Sequence, residues 1–461
     1  MATTRESGLI QGLGLLDSTM LVMGSMIGSG VFIVAADISR QVQSPGLMIL
    51  TWFITAALTL IAALSYGELA AAMPLAGGQY VYLREAFGPL WGFLYGWTLF
   101  LVIQTGTIAA VAVAFAKYTG VFIPWFSADN HLIGRGAVGL STQQLLAIAL
   151  VAFLTWSNTR GIRTGAVVQN TFTTAKVAAL LGLVALGFLV GRNPEAVASN
   201  FTGFWRNAGW NATTIRLVGV AMVGSLFSAD AWNNVTFTAG EVRNPRRNLP
   251  LSLALGVGVV CALYIGAQFV YLNVLTFPGI QHADQDRVAT AAALKMLGPV
   301  AVQVMAVAIM ISTFGCTNGL ILSGARVYYA MAKDQLFFGR AGRLDPVRHV
   351  PVFALVVQSI WAAILTMSGR YGDLLDYVIF AVLLFYVLTI IGLFVLRRTR
   401  PDLERPYRAI GYPVLPALYI VAAGLIEVLL LLYKPNYTWP GLTIVLLGLP
   451  VYFIWRKKPA V

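Results

Sequence analysis

The chain has 461 residues, 58% of them hydrophobic and 11% charged, with a mean hydropathy of +0.77 and a formal net charge of +13. That composition excludes a water-soluble domain, and the uninterrupted apolar runs exclude a membrane β-barrel, whose strands would alternate in polarity. The basic excess does not call for a nucleic-acid partner, because its distribution follows the pattern that orients a membrane protein.

Taken in chain order, twelve apolar segments are long enough to cross a bilayer, which needs about 20 residues. They lie at 12–36, 45–73, 87–116, 142–158, 167–190, 214–240, 250–275, 299–331, 350–368, 373–396, 413–433 and 439–455. The first has no small-residue cleavage site after a short apolar core and reads as a retained span, not a signal peptide. With the N-terminus inside, the inner segments hold nineteen basic residues, among them Arg5, Arg160, Arg163, Arg243, Arg246, Arg247, Arg456, Lys457 and Lys458. The outer segments hold ten, among them Arg40, Lys117, Arg135, Arg287 and Arg370. Positive charge marks the cytoplasmic side, so both termini are expected there, in a plasma or inner membrane. The same charges would meet anionic lipid.

Span 1 contains Gly24-Ser25-Met26-Ile27-Gly28-Ser29-Gly30. Glycine is a poor helix interior residue, at about 0.5–1 kcal/mol per position relative to alanine. Backbone that leaves the helix at membrane depth needs other partners, which is tolerated where it lines a cavity. There the exposed amides and the positive end of a half-helix can hold an anion such as a carboxylate. The plain alternative is close helix packing through small residues.

Span 6 carries a second weak point, Leu226-Phe227-Ser228-Ala229-Asp230-Ala231-Trp232-Asn233-Asn234. An ionisable residue at that depth marks a functional site by default. Spans 1 and 6 are five apart, so spans 1–5 and 6–10 would form two halves of opposite orientation. Interrupted segments at matching positions of two halves point to a transporter's binding site. The implied division is 1–190, 214–397 and 413–456, with the linker 397–413 as a boundary. Cys261 and Cys316 lie within spans, and His131, His282 and His349 in loops, so no catalytic or metal-ligating set is formed and no cofactor is expected.

Several spaced motifs now resemble those of the amino acid–polyamine–organocation superfamily, L-type amino acid transporter branch. They are Gly28-Ser29-Gly30-Val31-Phe32, the Glu68–Tyr80 loop, Asn170–Lys176, Glu241–Pro250 and Gly324–Asp334. The resemblance implies an all-α polytopic membrane protein of twelve transmembrane helices. Its fold would be the five-plus-five inverted repeat of the leucine transporter, with broken spans 1 and 6 and alternating access. It implies a site in which the amides of Ser29 and Gly30, with Ile27 and Gly28 beside them, take the substrate carboxylate. Carbonyls near Met26, Phe227 and Asp230 would take the ammonium, with Ser228 and Ala229 in the same turn. Phe227 would be an aromatic gate, Asn233 would steady the break, and Gln104 would line the pocket. Relatives often carry Gly-Gly in the span 6 break, whereas here Asp230-Ala231 stands there. Asp230 thus contacts substrate or a proton, or else caps a half-helix.

The resemblance also places Lys176 where sodium-coupled relatives bind an ion, so its ammonium would substitute for that cation, with Ser312, Thr313 and Thr317 as candidate partners. The alternative is a lysine that snorkels to the interface. Arg326 would pair with Glu68 or Glu241 at an inner gate, and Trp91, Trp97 and Trp232 would be scaffold. The function implied is secondary transport of neutral L-amino acids, as exchanger or proton-linked carrier. A cationic amino acid or polyamine antiporter is the close alternative, and an ion channel on the same scaffold the remoter one. A membrane-embedded enzyme would need convergent titratable groups that Asp230 lacks. Relatives that bond a heavy subunit use a cysteine between spans 3 and 4. None stands in 120–141 here, so no disulfide-linked partner is expected, and the short termini resemble those of prokaryotic members.

Overall fold

The computed structural model describes residues 8–134, 139–209, 211–367 and 371–455, without the side chains of 371–377 and 437. Arg5, Arg135, Arg370, Arg456, Lys457 and Lys458, which enter the charge comparison above, lie outside the described residues, as do the last residue of expected span 9 and position 456.

The chain is a helical membrane protein of many spans. Span 1 is two helices, Leu15–Met26 and Gly30–Val42, bent by 41° at the glycine-rich segment. Spans 2, 3, 5, 7 and 8 are Pro45–Ala72, Pro89–Thr119, Ile162–Leu189, Pro245–Val274 and Val300–Lys333. Spans 4 and 9, Thr142–Asn158 and Val352–Met367, are shorter. Spans 10, 11 and 12 are Tyr371–Thr399, Val414–Tyr433 and Pro435–Trp455. Span 6 runs as Ala212–Ser228, loses its helix over five residues, and resumes only as the single turn Asn234–Phe237 and the 3-10 turn Ala239–Glu241.

The sequence explains where these helices start. Ser44 caps span 2 by accepting from Leu47 N, with Pro45 at the first helical position, where its missing N–H costs nothing. Ser141 and Gln144 form a reciprocal cap on span 4, Ser141 N donating to Gln144 Oε1 (2.8 Å) and Gln144 N to Ser141 Oγ (3.2 Å). Span 5 begins five residues earlier than its apolar run, directly after Gly161 at φ 128°. The loops hold helices that hydropathy did not mark: Gln79–Phe87, Pro194–Thr202, Phe277–Gln281 and Val288–Leu297.

Four pairs of helices five apart in order pack on one another: span 2 on span 7, span 3 on span 8, span 4 on span 9, and the first half of span 6 on the second half of span 1. An axis in the membrane plane relating two five-helix halves would produce that pairing. Both breaks are therefore brought to one level, side by side.

On the face where span 1 begins, the chain entering it pairs with the chain leaving span 6, Leu13 N donating to Glu241 O (3.0 Å) and Arg243 N to Leu13 O (2.8 Å). Arg326 of span 8 grips the Glu241 carboxylate through Nε (2.7 Å) and Nη2 (3.0 Å), with both side chains 1% exposed. Glu68, the other candidate, is held instead by Arg397 (2.9 and 2.5 Å), Arg405 (3.3 Å) and the Ala409 amide (2.7 Å). The linker 397–413 is thus stitched to span 2 by buried charge. Removing one partner of such a buried pair typically costs about 3–5 kcal/mol.

Candidate substrate site

The two breaks meet at Gly30 and Ser228. A Cβ on Gly30 would run into Ser228 Oγ and lie 3.1 Å from Ser228 Cα, so glycine is required for the half-helices to touch. Helix Gly30–Val42 begins here, and its N-cap Ser29 makes no side-chain cap. The first N–H groups of a helix have no intrahelical partner and carry the positive end of its dipole. The helices Leu15–Met26 and Ala212–Ser228 end here, presenting carbonyls and the negative ends of their dipoles. A cavity lies between, lined by Met26, Gly28, Ser29, Gly30, Phe227, Ser228, Asp230, Ala231, Thr107, Val111, Ser25 and Cys316.

The carbonyls of the broken span 1 are taken up one by one by side chains from other spans. Cys316 Sγ reaches Ser25 O (3.1 Å), and Ser312 Oγ reaches Ile27 O (3.0 Å) and Gly28 O (2.9 Å). The Tyr264 hydroxyl of span 7 shares its hydrogen between Met26 O and Ser228 O, both at 3.1 Å, and so ties the two breaks together. Lys176 Nζ lies 2.6 Å from Gly24 O, 2.7 Å from Ile27 O and 3.2 Å from Ser312 O, with the side chain 0% exposed. Three carbonyls match the three donors of an ammonium. Full burial removes the snorkelling alternative. Of the hydroxyls named with it, only Ser312 shares an acceptor with it, Ile27 O; Thr313 and Thr317 bond back to Ile309 O and Thr313 O of their own helix, both at 2.8 Å. Those two residues therefore do not join Lys176 through their side chains.

In span 6 the departure from glycine is resolved by Ala231, which takes the left-handed φ of 64° itself. Phe227 O accepts the Asp230 amide (3.2 Å), and Ala229 N turns back to Ser225 O (3.0 Å). Asp230 is not the cap of the following turn, which starts at Asn233. Its Oδ1 instead accepts from the Tyr386 hydroxyl of span 10 (2.7 Å). Asn233 Nδ2 donates to Gln79 Oε1 (2.8 Å), and Gln79 Nε2 to Thr389 Oγ1 (3.1 Å), so the break is anchored to the loop helix and to span 10.

Gln104 follows directly on a π-helical turn, Leu99–Ile103, a feature that widens a helix and recurs at functional sites. Its Nε2 donates to Leu320 O of span 8 (2.7 Å), and with Gln79, Asn233, Asn234, Tyr95 and Tyr386 it lines a second, polar cavity that also ends on Asp230. Trp232 packs edge-on to Tyr66 at 4.8 Å, a scaffold contact. Tyr264, Tyr386, Gln79 and Cys316 escaped sequence reasoning, because in apolar helices a tyrosine or cysteine carries no letter that separates packing from carbonyl bonding. Among the described residues no group of three or more metal-binding side chains occurs.

A family model described as amino acid permease matches residues 13–451. The chain is similar to the b(0,+)-type amino acid transporter 1 of Mus musculus, 30% identical over 98% of this chain and 89% of that protein. It is also similar to the large neutral amino acids transporter small subunit 2 of Homo sapiens, 29% identical over 100% of this chain and 82% of that protein. The Asc-type amino acid transporter 1 of Mus musculus is 29% identical over 97% of this chain and 82% of its own length.

Proposed function

The chain belongs to the amino acid permease family, and on that premise we propose that it is a secondary transporter of neutral L-amino acids. The observation that carries this reading is the polarity of the site between the two breaks. One wall is the N-terminal end of Gly30–Val42, which offers amides and positive potential to a carboxylate. The opposite wall is made of the terminal carbonyls of Leu15–Met26 and Ala212–Ser228 together with Asp230, which offer acceptors to an ammonium. A zwitterion satisfies both. Met26 O already accepts from Tyr264, but a carbonyl has a second lone pair for a substrate.

Movement would follow alternating access, with the pairs Arg326–Glu241 and Arg397–Glu68 holding one side of the site closed. The protein is a carrier and not an enzyme, and works in a cell membrane with both termini on the cytoplasmic side. No cysteine is placed between spans 3 and 4 for a disulfide-linked partner. A second reading, carriage of cationic amino acids, is favoured by the Asp230 carboxylate and the amides around it. Uptake of labelled alanine, leucine and arginine into proteoliposomes, with and without internal substrate, tests the proposal. Uptake of alanine or leucine supports it, and uptake of arginine alone selects the second reading. Uptake of none overturns both.

A further inference from the structure

Among the described residues a groove of about 420 Å³ lies between spans 3, 5 and 8 and shares no residue with the substrate cavity. Span 3 and the turn after it supply Phe115, Phe122 and Ile123 to its lining, and span 8 supplies Val307 and Met310. Its floor is Phe172 of span 5 stacked on Phe314 of span 8, at 4.2 Å between ring centroids. Thr119 is the one polar residue in the lining, and its hydroxyl donates to Phe115 O of its own helix (2.9 Å). No side chain there offers a hydrogen bond to a ligand. A polar occupant would leave its own groups unpaired, which excludes an amino acid.

The position of the groove says what fills it. Thr119 is the last residue of span 3, and Phe122 and Ile123 follow it at 44% and 49% exposure. Trp125, half exposed beside them, is the residue type that marks the headgroup level. Phe314 and Phe172 instead stand near the middle of Val300–Lys333 and Ile162–Leu189. The groove thus runs from the end of one span to the middle of two others. That is the depth of one leaflet, about 15 Å of hydrocarbon, half of a bilayer core. Val307, 45% exposed, leaves its side open to the surrounding lipid. A dry apolar cavity of roughly 150 Å³ holds a benzene molecule, so a volume nearly three times larger takes a hydrocarbon chain. A helix of another protein, about 10 Å across with its side chains, is too wide for it.

The floor of the groove is also the back of the span 1 anchor. A Cβ on Gly315 would meet Phe172 Cβ at 2.8 Å and lie 3.5 Å from Lys176 Nζ. Phe172 precedes Lys176 by four residues, one turn away along span 5.

We propose that one acyl chain of a phospholipid, from the leaflet on the side where span 3 ends, resides in this groove against the Phe172–Phe314 pair. The chain supplies the neighbouring atoms that an empty groove would deny the two rings, and so supports the packing behind Lys176. The inference goes beyond the transport reading and does not use it, so failed uptake would leave it standing.

The test places the full-length protein in nanodiscs of phosphatidylcholine that carries a photoactivatable diazirine on one acyl chain. The sample is irradiated either directly or after exchange into detergent, and the label is mapped by mass spectrometry. In nanodiscs, label is expected at residues 119–123 and 307–314 and also on the lipid-facing Leu446 and Leu447 of span 12. After detergent exchange the span 12 label is expected to disappear while the groove label stays. Met310→Trp and Ile123→Trp, which fill the groove from two walls, are expected to lose the groove label and keep the span 12 label in nanodiscs. Groove label that washes out together with that of span 12 shows ordinary surrounding lipid only and overturns the inference, whether or not either variant folds. Retained label undiminished in both variants likewise overturns it.

Discussion

The Lys176 ammonium lies 2.7 Å from the carbonyl oxygen of Ile27, the residue at which span 1 stops being a helix. The contact explains how a break can persist at membrane depth. Unpaired carbonyls there cost several kcal/mol each, and one side chain from span 5 satisfies two of them while carrying the charge that the negative end of a half-helix favours. Gly315 makes room, since a Cβ there would sit 3.5 Å from Lys176 Nζ and closer still to Phe172. Replacing Lys176 by alanine or methionine is expected to abolish uptake while the protein is still expressed and inserted. Wild-type uptake in either variant would show that the ammonium is not needed.

Tyr264 tests the link between the two breaks. Tyr264→Phe keeps the ring contact with Trp52, at 5.7 Å between centroids, and removes only the hydroxyl shared by Met26 O and Ser228 O. The loss of a buried hydrogen bond of this kind is expected to destabilise by about 1–3 kcal/mol. A lowered melting temperature in detergent, together with weaker substrate binding, is the expected result.

The close approach at Gly30 gives a paired comparison. Gly30→Val drives a side chain into Ser228 and is expected to abolish binding, whereas Gly258→Ala in span 7 meets nothing within 4 Å and is expected to bind normally. Equal affinities in the two variants, read by equilibrium binding, would place the substrate elsewhere.

Ala231 carries a left-handed φ of 64° without being glycine. For an L-residue that conformation costs roughly 1–2 kcal/mol, which glycine avoids at an entropic cost of its own. Ala231→Gly is therefore expected to raise or preserve the melting temperature, and a marked loss of stability would contradict the conformation.

Much of this could be read from the letters. Among the described residues eight helices are long and apolar enough to cross a membrane, nine with the bent pair of span 1, while the helices of expected spans 4, 6 and 9 are shorter than hydropathy implied; the break in span 1 is visible because Gly24, Gly28 and Gly30 are poor helix residues in a place where helix is obligatory. Lys176 stood out as a lone charge in an apolar run, and Arg326 and Glu241 as opposite charges at span ends. What was hidden is the partner side of each contact. Lys176, Ser312 and Tyr264 all bond to backbone carbonyls, which every residue possesses. Thr313 and Thr317 were indistinguishable from Ser312 in sequence, and only helix rotation decides which hydroxyl reaches span 1. The brevity of the helix after Asp230 was also hidden, because Trp232, Val235, Phe237 and Ala239 keep apolar residues recurring to the end of the expected span while the backbone leaves the α-helix at Ser228.

The zwitterion claim is tested most directly by competition against labelled leucine binding, using leucine, its amide and its deaminated acid. Leucine is expected to compete, while leucinamide, which lacks the carboxylate, and 4-methylpentanoate, which lacks the ammonium, are expected to fail. Competition by leucinamide equal to that of leucine would contradict a site in which the amides at Gly28, Ser29 and Gly30 hold a carboxylate.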